Sequence, residues 1–328
     1  MNNLSKRFFF FFILGIPALL IILLNFPCNN DDDFKFEKKL SAYKLFKKGS
    51  SDLILAANIF PLELKTSLFS DFAEKDRGVR LPIGKKILML GNGDFQFPSG
   101  TILFKTFFYA NSLKGKKLVE TRLLILDSLE WKGASYIWGD SQSDADLLTK
   151  ADSLNIGFKL ADGNFRKINY HIPSKNDCRI CHSSDGRFVP IGTNGVNLNI
   201  PVIRNGKHVN QLKYLRNKGG LAFQGDIAFG NKPAYSDTAF SLAKRARSYL
   251  DMNCAHCHNP KGTAMATSLN LTFNVSLSQT GILLHKRNII ERMSFMNSFH
   301  MPKIGTTVID TSGVALVIKF ITSLPKDI

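Results

Sequence analysis

Apolar positions change their period along the chain, and the changes give its layout. Residues 8–24 are apolar apart from Gly15 and Pro17, and they follow Lys6 and Arg7. A short basic start and such a run mark a signal peptide or membrane anchor rather than part of the fold. Residues 29–50 are rich in Lys and Asp and read as a tether, with a short helix at residues 40–46. The segments TILFKTFFY (101–109) and LVETRLLIL (118–126), and residues 135–138, carry the β-branched and aromatic residues of strands. Turn clusters at 91–93, 98–100, 111–115 and 139–141 separate them. Short strands with regular breaks predict an antiparallel sheet or sandwich over 51–170. Residues 171–235, rich in Gly, Asn and Pro, predict a loop-rich segment. The period then becomes helical. Ala239, Leu242, Ala243, Ala246, Tyr249 and Leu250 follow Ser236 or Asp237 as a cap, and Val314, Val317, Ile318 and Ile321 follow Ser312. The pattern predicts a multidomain α+β chain: anchor (1–28), tether (29–50), N-terminal antiparallel β domain (51–170), loop-rich segment (171–235) and all-α domain (236–328).

The cysteines bring chemistry into this layout. Four of the 5 in the chain fall in two C-x-x-C-H motifs, Cys178-Arg-Ile-Cys181-His182 in the loop-rich segment and Cys254-Ala-His-Cys257-His258 after the first predicted C-terminal helix. Two thiols at this spacing can each bond one vinyl group of the same porphyrin, and the next residue, His, then lies beneath the iron. The expectation is two covalently bound haem c groups, attached at Cys178, Cys181, Cys254 and Cys257, with His182 and His258 as proximal iron ligands. Zinc ribbons space their Cys pairs by about 15–20 residues, closer than these two pairs. Disulfides between exported cysteines leave both histidines unexplained. His256, inside the second motif, is expected at the surface or at a haem edge.

Met301, followed by Pro302 and lying shortly before the last helix, is the expected distal ligand of the second iron; a thioether there favours the reduced state. Its plain alternative is a packed core Met. Met293, Met296 and His300 are the fallbacks. For the first iron the spare histidines are His171 and His208, and an open iron, or ligation from the other domain, is equally compatible with the sequence. Arg245 and Arg247, on the helix before Cys254, are candidates for propionate contacts by bidentate hydrogen bonds. Each reads equally well as a solvated helix charge.

Lys+Arg is 43 against Asp+Glu 26, a formal +17. Such a surface suits an anionic partner. The export signal excludes nucleic acid and leaves acidic periplasmic redox proteins, or no specific partner at all. Cys28, after the apolar run and before Asn29, has three fates: lipidation as in a bacterial lipoprotein, a free Cys beside an uncleaved helical anchor, or a free Cys after ordinary cleavage. Asn25, Phe26 and Pro27 depart from the small residues usual before a lipidated Cys. Each fate places the rest of the chain in the periplasm or cell envelope, where the cytochrome c maturation machinery would attach haem. The N-terminus would hold it at the membrane.

The sequence resembles a family of bacterial diheme c-type cytochromes known only as hypothetical proteins. The resemblance rests on LSAYKLF (40–46), SLFSDFAEKDRGVRLP (67–82), FPSGTILFKTF (97–107), LVETRLLI (118–125), CRICH (178–182), PIGTNGVNLN (190–199), RARSYLDMNCAHCHNPKG (245–262), RMSF (292–295) and MPKIG (301–305). It implies two covalent haems and a periplasmic redox role, with no settled substrate. The order of helix, C-x-x-C-H, irregular loop, Met-Pro and final helix resembles a class-one cytochrome c domain, which would make residues 236–328 all-α. FPSGTILFKTF also resembles the β-sheet cytochromes that oxidise hydroxylamine through a haem cross-linked to Lys, for which Lys105 would be the counterpart. The expected function is electron transfer. The alternative is a redox enzyme with one open haem iron, peroxidase-like or acting on a small nitrogen species.

Overall fold

The computed structural model describes residues 34–47, 53–112, 115–160, 162–223 and 232–325 of the chain. Among these, an eight-stranded antiparallel sheet dominates. Its strands are β1 (Ile59–Pro61), β2 (Glu74–Arg80), β3 (Ile102–Ser112), β4 (Gly115–Asp127), β5 (Glu130–Trp138), β6 (Ala145–Leu147), β7 (Asp152–Lys159) and β8 (Phe165–Ile172). The first six run in spatial order as a meander, and β8 pairs with β7, which touches β3 at Ser112↔Phe158. Strand β3 is buried at almost every position, on both faces. It is a central strand, so its apolar residues are continuous rather than alternating. Thr106 and Thr121 hydrogen-bond across the β3–β4 pair at 2.8 Å, and Trp138 Nε1 donates to Thr121 Oγ1 at 3.0 Å.

Six α-helices are present among the described residues: α1 (Lys175–Cys181), α2 (Gly195–Leu198), α3 (Gln211–Asn217), α4 (Leu242–Asn253), α5 (Ile282–Ser294) and α6 (Thr311–Thr322). The cap of α4 is Ser241, not Ser236 or Asp237; the Asp237 carboxylate instead accepts from Ala239 N–H. The cap of α6 is Asp310, not Ser312. Asp310 Oδ1 accepts from Gly313 N–H at 2.9 Å and its Oδ2 from Tyr249 O–H at 3.0 Å. One carboxylate therefore both caps α6 and ties it to α4.

The expected multidomain arrangement, with an all-α cytochrome c-like domain, is not what forms. Residues Phe36–Ile328 are a single compact unit, and among the described residues it is mostly β, with no separate all-α domain. Polar ties explain why the C-terminal helices do not stand alone. Thr66 and Ser248 share a hydroxyl contact at 3.3 Å, and Phe69 N–H donates to Asn253 Oδ1 at 2.8 Å. Buried Asp71 accepts from Thr307 N–H, Thr307 O–H and Val308 N–H. These bonds satisfy groups of the segment before β2 with groups of α4 and of the loop before α6, so the helices, although they share a core of their own, are tied to the sheet. Helical spacing is visible in a sequence; a carboxylate that sews two distant segments together is not. The segment read as a tether also docks, with Leu40, Tyr43 and Leu45 buried and Tyr136 O–H donating to Glu37 O at 2.8 Å.

Among the described residues no helix is long and apolar enough to cross a membrane. The apolar run at 8–24 and Cys28 lie outside the described residues.

Candidate functional site

The first C-x-x-C-H motif is presented by a short, firmly capped helix. Ser174 Oγ accepts from Asp177 N–H and the Asp177 carboxylate accepts from Ser174 N–H, a reciprocal capping box that starts α1. One turn of α1 places Cys178 and Cys181 on the same side, and both line one cavity. His182 ends the helix. Its Nδ1 lies 2.8 Å from Val189 O. A carbonyl only accepts, so Nδ1 carries the hydrogen and Nε2 keeps a free lone pair. Phe188 stacks on the imidazole with ring centroids 5.3 Å apart and an 18° tilt. Room for Phe188 comes from Gly133 on β5, where a Cβ would stand 2.9 Å from Phe188 Cζ. Burial, with Lys105 nearby, pushes the His182 pKa down to about 3, so the ring is neutral at physiological pH.

The second motif follows the C-terminus of α4. His258 Nδ1 lies 2.9 Å from Thr267 Oγ1, and that hydroxyl donates its own hydrogen to Ala264 O at 2.7 Å. The hydroxyl is therefore the acceptor for His258 Nδ1–H, and Nε2 is again left free. Burial lowers the pKa of His258 as well. Two histidines after Cys-x-x-Cys, each with Nδ1 held by an acceptor that fixes the ring and leaves Nε2 free, are prepared as neutral metal ligands.

The fold brings the two motifs together. One ligand atom each of Cys181, His256 and Cys257 lies within 4.8 Å of the others. Thr263 O–H donates to Ile180 O at 2.9 Å, Asp185 N–H donates to Lys261 O at 2.9 Å, and Lys261 pairs with Asp185 at 3.2 Å. Cys181 and Cys257 hydrogen-bond and shift in opposite directions, Cys181 up and Cys257 down, as two sulfurs sharing a proton do. Burial raises Cys178, and raises Cys254 to about 12. All four thiols are free of disulfides.

Cys178, Cys181 and His182 of the first motif and His256 of the second line one cavity. On one side it is walled by β2–β5, on another by α1 and His182, and on a third by Met252, Asn253 and His256, with Pro302 and Ile304 at its rim. Met301 itself is half-buried and does not line this cavity; its N–H donates to Arg292 O at 2.8 Å. Beside it, His300 is buried, with Nδ1 3.0 Å from Phe295 O and an Nε2 that is buried without a hydrogen-bond partner. Met293 belongs to the helical core and Met296 is exposed. His171 Nδ1 lies 3.4 Å from Ser153 Oγ and His208 is exposed, and neither lines the cavity. Arg245 Nε donates to Tyr235 O at 2.9 Å. Arg247 is buried and donates to the carbonyls of Thr272, Phe273 and Val275, so its guanidinium holds a loop.

Several residues of this site escape a sequence reading. Thr267, Phe188, Gly133 and Met252 carry no signal of their own. Glu120 and Arg122 do: charged residues inside the apolar stretch of β4 mark a face that meets something polar, whereas Arg77 sits in the largely charged β2 and gives no such signal. Lys105, in the middle of ILFKTFFY, is the clearest case, and it lines the cavity with Cys178 and His182.

No protein-family model matches the chain, and neither a curated protein nor a solved structure is found similar to it.

Proposed function

We propose that this chain is an exported diheme c-type cytochrome that passes electrons between redox partners of the cell envelope. The observation that carries this reading is the matched preparation of the two motif histidines. His182 donates to Val189 O and His258 to Thr267 Oγ1, and both present a free Nε2 beside their Cys pair. A pair of disulfides would ask for neither arrangement, and zinc ribbons space their Cys pairs more closely than the two pairs here. The donor set therefore fits haem: Cys178 and Cys181 would hold one group and Cys254 and Cys257 the other, with His182 and His258 as axial ligands. Each haem supplies one-electron storage as its iron alternates between ferrous and ferric. The chain's own residues supply the rest. The imidazoles stay neutral, Phe188 holds one ring in plane, and the adjacent Cys181 and Cys257 bring the two attachment points together. His300, with its unpartnered Nε2, joins Met301 as a distal candidate for the second iron. Met252 and His256 join the first site from the opposite wall. The resemblance to bacterial diheme cytochromes supports the same reading, and the basic surface suits acidic redox proteins.

A second reading, a redox enzyme with one open iron, is favoured by one observation: the cavity that His182 lines reaches solvent and carries cationic side chains.

One set of measurements tests both. The matured protein should give two haems per chain by pyridine haemochrome, and Cys254→Ala/Cys257→Ala should lose one haem by mass. Retention of two haems in that variant, or zinc in place of iron in the wild type, sinks the assignment. A carbon monoxide shift on one of the two haems selects the enzyme; its absence on both selects the electron carrier.

A further inference from the structure

Three cations stand opposite one another across neighbouring strands on the cavity wall. Arg77 of β2 pairs with Lys105 of β3, and Lys105 pairs with Arg122 of β4. All three line the cavity that holds Cys178, Cys181 and His182. Like charges directly opposite in a sheet oppose folding, so such a row is kept only where something repays it.

The protein itself repays little of it. Glu120 takes the guanidinium of Arg122 and also the hydroxyl of Tyr170. Arg77 donates to Ser67 Oγ and to Lys75 O, both neutral. Lys75, at the next position but one of β2, reaches Ala73 O and the face of Phe107, with Nζ 5.7 Å from the ring centre. For Lys105, among the described residues, the recorded partner is the face of Phe107, with Nζ 4.9 Å from the ring centre. That ring also receives Arg122, at 4.5 Å. Burial and the two arginines together lower Lys105 to about 7. The row continues to Ser135, opposite Arg122 on β5, whose buried hydroxyl has no hydrogen-bond partner. A line of Arg, Lys and Arg open on a cavity, with a spare hydroxyl beyond its end, matches the donors that carboxylates and oxyanions need.

We propose that Arg77, Lys105 and Arg122 form an oxyanion-binding site in this cavity. Two sources share that chemistry: a propionate of the haem at Cys178/Cys181, or a small free oxyanion that enters from solvent. The first source rests on the haem reading; the second does not.

The full-length matured protein is titrated calorimetrically with inorganic phosphate, which reports the row without competing for iron. Lys105→Met and Arg77→Gln are compared with the wild type, and each haem count and reduction potential is recorded on the same samples. A free-anion site gives saturable phosphate binding that each variant weakens about tenfold or more, the loss of one charge-assisted bond. A propionate site gives no phosphate binding, but shifts the potential of one haem in both variants and leaves the other unchanged. Absence of phosphate binding together with unchanged potentials in both variants overturns the proposal. Should either variant fail to fold by circular dichroism, Arg77→Lys and Lys105→Gln replace them. Phosphate binding in a chain without two haems would end the haem reading and keep the site, so the two can fail separately.

Discussion

Cys181 and Cys257 belong to different C-x-x-C-H motifs, yet their sulfurs lie within 4.8 Å of each other, with a His256 ring nitrogen as close to both. The contact is held from both sides. Ile180 O accepts from Thr263, and the Asp185 strand end bonds to Lys261. Each of these cysteines is the second thiol of its motif. Any porphyrin bonded to Cys181 therefore begins where a porphyrin bonded to Cys257 begins.

If the chain carries the two haems proposed for it, the expected consequence is electronic coupling between them. The matured protein should give a bisignate Soret band in circular dichroism and broadened, interacting ferric signals in electron paramagnetic resonance. Removing the second haem through Cys254→Ala/Cys257→Ala should turn the bisignate band into a simple one. Two independent haem spectra in the wild type would place the rims apart and refute the contact.

The same three atoms make a soft donor set suited to zinc when no haem is attached. A chain produced without haem attachment should carry one zinc per chain by elemental analysis. His256→Ala should weaken retention against a chelator about tenfold or more. Equal retention in both would show that His256 is not a ligand.

Much of the layout was legible in the sequence, and the losses have physical causes. The segments read as strands at 118–126 and 135–138 lie inside β4 and β5, and 101–109 falls on β3 but for Thr101, because β-branched and aromatic runs parted by turn residues have little other use. The two motifs declare themselves by spacing alone. The sequence did not reveal that His256 of the second motif joins the cavity of the first, because that depends on Asp71 reaching Thr307 and Asn253 reaching Phe69. For the same reason a run of helices was read as a separate all-α domain. The caps moved too: Asp310 outcompetes Ser312 because its carboxylate serves Tyr249 as well. Arg247, a propionate candidate or a solvated charge from its place on the helix before Cys254, spends its guanidinium on three loop carbonyls.

Gly133 is a contact position for the first histidine. A side chain at that place meets Phe188, which in turn stacks on His182. Gly133→Val should displace Phe188 and cost about 1–3 kcal/mol by overpacking. The first haem's spectrum should change while the second stays as it was. Urea denaturation and the Soret band of Cys254→Ala/Cys257→Ala carrying the same change read the two effects. An unaltered first haem would mean that Phe188 does not position the ring.

Glu120 is fully buried and is the counter-charge of Arg122. Glu120→Gln leaves the guanidinium enclosed and unpaired, at a cost of about 3–5 kcal/mol. The double variant Glu120→Gln/Arg122→Met should recover much of that, since an apolar replacement of a whole buried pair is often close to neutral. Denaturant midpoints of the three variants measure it. A loss below about 1 kcal/mol in the single variant would mean that water already solvates this wall.

Lys105 gives the fold a pH dependence whose sign follows from its lowered pKa. In the unfolded chain the ammonium titrates near its ordinary 10.5; in the folded chain it titrates at about 7, because burial and then Arg122 and Arg77 oppose the charge. Between those values the unfolded state binds more protons, so the contribution of Lys105 to stability rises with pH, at up to about 1.4 kcal/mol per unit. Below about pH 7 the lysine is charged in both states, and its burial is then a constant penalty. Lys105→Met should remove this slope and should gain most over the wild type near neutral pH, with the gain shrinking towards pH 10. Urea midpoints for both proteins at pH 6, 7, 8, 9 and 10, in buffers without oxyanions, give the difference directly. A difference that stays constant across the series would mean that the ammonium remains solvated. Phosphate added at pH 8 should lift the wild type alone if the row binds a free anion, because the bound charge returns the proton to Lys105.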